Sequence, residues 1–154
     1  MGDKSKKIKF KQKDNNKISK NDIKNNKPTH LKFNYSFITN NNRYSYRNEE
    51  FNEEHKLNFL NRLFQLSEKE LIEIMAYSKN IGLEFIEKKD FKKDIEYNKK
   101  FEDVEYRKKE TDGKYAIFRL YPNNNPLPSR IIGKLVSNVF YIMYFDLKHE
   151  LYKG

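Results

Sequence analysis

The sequence predicts an α+β domain: an antiparallel sheet with two or three helices packed on one face. Three observations carry this expectation. Residues 31–39, LKFNYSFIT, alternate Phe33, Tyr35 and Phe37 with Lys32, Asn34 and Ser36, the period-two pattern of a half-buried strand. From Glu50 onward the apolar residues recur at helical spacing instead. The last forty residues return to strand patterns and close as a three-stranded meander. Helices segregated from strands in chain order belong to α+β architectures.

The first strand ends at Asn40, Asn41 and Asn42, a turn signal. Leu57, Leu60, Leu63 and Phe64 then follow an acidic start of Glu49, Glu50, Glu53 and Glu54, which suits the positive end of a helix dipole. Ser67 and Glu70 have the spacing of a capping box, with Leu66 and Leu71 as its staple, and predict a second helix through Ile74 and Met75 that stops near Asn80 and Gly82. LEFI, 83–86, suits a short strand. Between Glu87 and Asp112 charge dominates, yet Phe91, Ile95, Tyr97, Phe101 and Val104 keep i+3 and i+4 spacing, so either a third helix or a mobile excursion fits. Asp112-Gly113 marks a turn. YAIFRLY (115–121), RIIGKLV (130–136) and VFYIMYF (139–145) read as strands, the last two joined by Ser137-Asn138 as a two-residue hairpin. The final strand is apolar on both faces, as a central strand would be.

A chain of 154 residues suits one folded domain, here 31–154, behind a basic arm at 1–30. The arm holds ten lysines against Asp3, Asp14 and Asp22, a net +7, and too few apolar residues to offset the entropy of ordering. It reads as flexible, and Lys4, Lys6, Lys7, Lys9, Lys11 and Lys13 are its candidate phosphate contacts. The rest carries 22 Lys and Arg against 19 Asp and Glu, so the folded part is nearly balanced. With 26 Lys to 6 Arg and 19 Asn, AT-rich coding accounts for part of the lysine excess. The absence of Cys excludes disulfides and thiolate metal sites, and His30, His55 and His149 are too scattered for a structural zinc. No cofactor is expected. Without a long apolar stretch or a signal-like h-region, a soluble cytoplasmic protein that does not engage membranes is expected.

The order strand, helical pair and three-stranded meander, ending at His149 and Tyr152 and carrying Arg119, Arg130 and Lys134, resembles the RelE/ParE-like bacterial toxins over roughly residues 33–152. The endings NVFYIMYFD and KHELY also look like small proteins of bacterial and phage mobile elements, a setting that includes toxin-antitoxin and phage-defence functions. The resemblance implies metal-independent RNA cleavage. In that chemistry His149 or Tyr152 would move protons while Arg119, Arg130 and Lys134 would hold phosphate. Read without it, the same residues have plain explanations: a polar strand end for His149 and Tyr152, a solvated sheet face for Arg119, and an exposed lysine for Lys134.

A second candidate surface needs no catalysis. Tyr35, Arg43, Tyr44, Tyr46, Arg47, Tyr115, Tyr121 and Tyr141 mix aromatic faces with cations, which suits stacking on single-stranded nucleic acid and equally suits a protein hot spot. Two function classes therefore stay open, of which the RNA-binding one leads. One is a small RNA-binding protein of the ribonuclease-toxin type acting on RNA or a nucleoprotein complex, with an antitoxin as partner. The other is a non-enzymatic module that binds a protein, such as an inhibitor of, or subunit with, a nucleic-acid-handling enzyme.

Overall fold

The computed structural model describes residues 29–154, so the arm lysines Lys4, Lys6, Lys7, Lys9, Lys11 and Lys13 lie outside the described residues. The architecture is α+β. Strands β1 (Lys32–Asn34), β2 (Glu84–Glu87), β3 (Lys114–Arg119), β4 (Arg130–Val136) and β5 (Val139–Asp146) form one open sheet in the order β1-β5-β4-β3-β2. Helices α1 (Glu53–Ser67) and α2 (Leu71–Ala76) lie between β1 and β2 in the chain, and α3 (Glu105–Glu110) precedes β3.

The antiparallel pairing that the pattern predicts holds from β2 to β5. Strand β1 instead runs parallel to β5, with Lys32 opposite Val139 and Asn34 opposite Tyr141. The hairpin turn explains the direction. Asn138 donates its side-chain amide to the His30 carbonyl at 2.9 Å and accepts from the Lys32 N–H at 2.8 Å, so β1 and β5 leave from the same end of the sheet. Within that turn Ser137, rather than Asn138, takes the positive φ of 53°.

Helix α1 starts as its sequence suggests: the Asn52 side chain accepts the His55 N–H at 3.0 Å, behind Glu53 and Glu54 in the first turn. The expected capping box at Ser67 and Glu70 does not form. Ser67 ends α1, and Glu70 precedes α2 without a side-chain cap. The Leu71 N–H is satisfied elsewhere, by the Thr29 carbonyl at 2.8 Å, while His30 bridges to Glu70.

Both faces of the sheet are buried. On one, Phe118, Ile131, Phe140, Ile142 and Phe145 pack against Leu63, Leu66 and Ile74 from the helical pair. On the other, Tyr115, Ile117, Ile132, Met143 and Tyr144 are covered by Tyr97, Phe101, Leu151 and Tyr152. The charged middle is thus a second layer. Its 3-10 turn at Lys99–Asp103 is capped by the Asn98 side chain and drives Phe101 edge-on against Phe37 and Tyr141, at centroid distances of 5.5 and 5.1 Å. The Tyr144 hydroxyl donates to the Ile95 carbonyl and ties this layer to the central strand.

Candidate functional site

Four of the five residues on which the toxin resemblance rests gather at one end of the second face. Arg119 and Arg130 stand directly opposite each other on β3 and β4, and Arg130 stands opposite Asp146 on β5. Over this row the chain turns back after β5. Asp146 is fully buried and accepts the N–H groups of Glu150 and Leu151, each at 2.8 Å, while His149 adopts a positive φ of 55°. The turn stacks the His149 ring on Tyr152 at 4.6 Å and sends the Tyr152 hydroxyl to Glu84 of β2 at 2.9 Å.

The arginines also hold the β3–β4 loop. Arg119 Nη1 donates to the Pro122 carbonyl at 3.2 Å; Arg130 Nη1 donates to Asn124 Oδ1 at 2.8 Å and to the Pro128 carbonyl at 3.0 Å. Arg119 Nε, Arg130 Nε and His149 Nε2 are buried without a hydrogen-bond partner among the described residues. Burial, reinforced by the positive charge of Arg130, lowers the pKa of His149 and that of Arg119. Burial and the neighbouring Glu84 hold the Tyr152 phenol well above its ordinary value. At neutral pH the cluster therefore offers a neutral imidazole, a protonated phenol and two cations. That is a complement able to move a proton beside a phosphate. Its access is narrow, because Arg130 and Tyr152 are buried and Gly154 lies against the His149 ring.

Lys134 is not in this cluster. Its ammonium donates to the carbonyls of Thr111 at 3.0 Å and Lys114 at 3.4 Å, and lies 4.2 Å from the centroid of Tyr115. Burial lowers its pKa to about 8. It borders a separate polar cavity of about 210 Å³ shared with Tyr97, Glu102 and Asp112.

Arg43 forms a bidentate pair with Glu150, at 2.8 and 3.1 Å, and so clamps the segment after β5 to the 3-10 turn at Asn42–Tyr44. Arg47 stacks on Tyr46 at 5.2 Å. Both arginines line an open cleft of about 420 Å³ with Glu49, Glu50, Lys148 and Glu150, where the charges nearly cancel. Of the eight residues of the aromatic-cation surface, Tyr44 and Tyr115 are buried in the second core, whereas Tyr35 and Tyr46 are exposed. The set is not one stacking platform.

Sequence reading did not anticipate two participants. Glu84 enters the cluster only because β2 pairs with β3 at the sheet edge. Arg62, on the inner side of α1, reaches the carbonyls of Arg119 at 2.9 Å and Ile81 at 2.8 Å, and burial lowers its pKa to about 10. No local signal marks Arg62, because the apolar spacing of α1 does not say which side of the helix faces the sheet.

Among the described residues, an exposed apolar surface lies on the opposite side of α1. Leu57, Leu60 and Phe64 are 60%, 47% and 60% exposed, and on α2 Ile72 and Met75 are 75% and 51% exposed. The inner face of α1 is made by His55, Arg62, Leu63 and Leu66 instead. Among the described residues no group of three His, Asp or Glu is placed to hold a metal, and no helix is long and apolar enough to cross a membrane. Comparison of the chain with family models, with curated proteins and with solved structures yields no match in any of the three.

Proposed function

We propose that the chain is a non-enzymatic module that binds a protein partner through the outer face of its helical pair. The observation that carries this reading is the stripe Leu57, Leu60 and Phe64, apolar and about half or more exposed, on a helix whose other face already fills the core. Scattered exposed leucines need no explanation, but a straight stripe on a helix that is apolar on both sides does. Full-length protein isolated from its source cells should carry a stoichiometric protein partner. Leu60→Glu with Phe64→Glu should release it while leaving the thermal midpoint unchanged. Equal recovery of the partner with the substituted chain would sink this reading.

A second reading has its own observation. Arg119, Arg130, His149 and Tyr152, residues that carry the RelE/ParE-like resemblance, meet in one cluster, on a chain in which β2 and α3 stand between the helical pair and the closing three strands. That reading is an RNA-cleaving toxin, with Lys4, Lys6, Lys7, Lys9, Lys11 and Lys13 adding salt-dependent phosphate affinity. It ranks second because the cluster's bonds run to the protein itself. Growth arrest on expression, relieved by His149→Ala together with Tyr152→Phe, would promote it; harmless expression and intact RNA would remove it.

A further inference from the structure

The outer face of α1 has ends as well as a middle. Glu53, Leu57, Leu60, Phe64 and Glu68 follow one another at spacings of three and four, so they lie along one line of the helix surface. Both glutamates are exposed, and among the described residues neither has an ion-pair partner. Glu54 adds a further charge at the N-terminal end, whereas Asn58, Asn61 and Gln65 flank the middle. Across residues 49–76 there are seven glutamates against Lys56, Arg62 and Lys69, and Arg62 is turned into the core. An apolar seam closed by acid at each end thus stands on a chain that is otherwise basic.

We infer that this seam docks an amphipathic helix of a partner protein that carries a lysine or arginine at each end of its own apolar stripe. The inference rests on the docking reading above. Leu57, Leu60 and Phe64 have the three-then-four spacing of a helix-packing seam, which a second helix matches along its length and an extended strand does not. Glu53 and Glu68 are fifteen residues apart, or about 22 Å at the rise of an α-helix, so a partner helix of about four turns would reach both. A second copy of this chain is disfavoured by the same charges. Packed antiparallel it would set Glu53 against Glu68, and packed parallel it would set each glutamate against itself.

The test uses the isotope-labelled full-length chain and two synthetic helical peptides with an identical Leu and Phe stripe, one ended by lysines and the other by glutamates. The lysine-ended peptide should shift the amides of residues 53–68 and bind on the order of tenfold more tightly than the glutamate-ended one at low salt, with the preference fading at high salt. Glu53→Lys with Glu68→Lys should reverse the preference. If both peptides bind the face equally, the charge rule is overturned while the docking reading survives. If neither peptide shifts those amides, both fall. Concentration-dependent shifts of the same amides in the chain alone would assign the face to self-association and overturn the inference.

Discussion

At Gly82 the missing side chain is a packing requirement. A Cβ there would lie 2.5 Å from the Ile74 carbonyl oxygen and 3.0 Å from Tyr77 Cβ, because the turn after α2 folds back on the helix end through the Gly82 N–H bond to Ser78. The neighbour in the way is backbone, which cannot swing aside. Gly82→Ala should therefore cost about 1–3 kcal/mol in urea unfolding, as overpacking does; an unchanged midpoint would show that the turn opens freely. The sequence marks Asn80 and Gly82 as the stop of the second helix, but α2 ends earlier, at Ala76, with Tyr77 as its C-cap, and Gly82 serves the close approach of the following turn instead. Lys134 was less legible still. Its pattern suggests an exposed lysine, yet its partners are carbonyls about twenty residues away, and no local spacing reports them. Arg119, Arg130, His149 and Tyr152 were legible as a set of residue types; Glu84, brought in by strand order alone, was not.

Helix α1 carries apolar residues on two faces, and this is where its sequence pattern misleads. Leu57, Leu60, Leu63 and Phe64 read together as a core face, but only Leu63 of the four is buried; Leu66 and the partly buried Phe59 complete the inner side. Periodicity locates a helix without saying which of two apolar stripes faces the sheet. Arg62 lies on the buried side, where its guanidinium donates to the Arg119 and Ile81 carbonyls beside Leu63 and Leu66. The two faces should answer to substitution very differently. Leu66→Ala removes a side chain that is 2% exposed and should cost about 2–4 kcal/mol. Phe64→Ala removes a larger one and should stay within about 0.5 kcal/mol. Chemical denaturation of the two variants decides it, and comparable losses would mean that the outer stripe is covered within the chain itself.

Taken whole, the molecule is a sheet sandwiched between a helical layer and an irregular, charge-rich layer, and the second layer makes its stability depend on pH in an unusual direction. The middle segment's polar composition hides this arrangement in the sequence, because its few aromatic anchors, Phe91, Tyr97 and Phe101, are dispersed among lysines and acids. Buried between this layer and the sheet, or within the layer, are Lys134, Tyr97, Tyr115, Tyr144 and Tyr152. Burial lowers Lys134 to about 8 in the folded chain against an ordinary 10.5, so between those values the unfolded chain holds more protons and stability rises with pH. The tyrosines act in the opposite sense: burial raises Tyr115 to about 12 and Tyr97, Tyr144 and Tyr152 further. Above their ordinary value of 10.0 the folded chain retains protons that the unfolded chain releases, and stability falls. Arg62, lowered to about 10, pulls upward above that pH but is one group against four. Urea midpoints measured from pH 7 to 11.5 should therefore climb above pH 8, peak around pH 10, and then drop. Lys134→Met should flatten the climb and leave the drop in place, since it removes the one buried amine and spares the phenols. A steady decline from pH 8 in the parent chain would mean that Lys134 keeps its proton in the fold, paired more strongly with Glu102 and Asp112 than its burial under Tyr97 and Tyr115 allows.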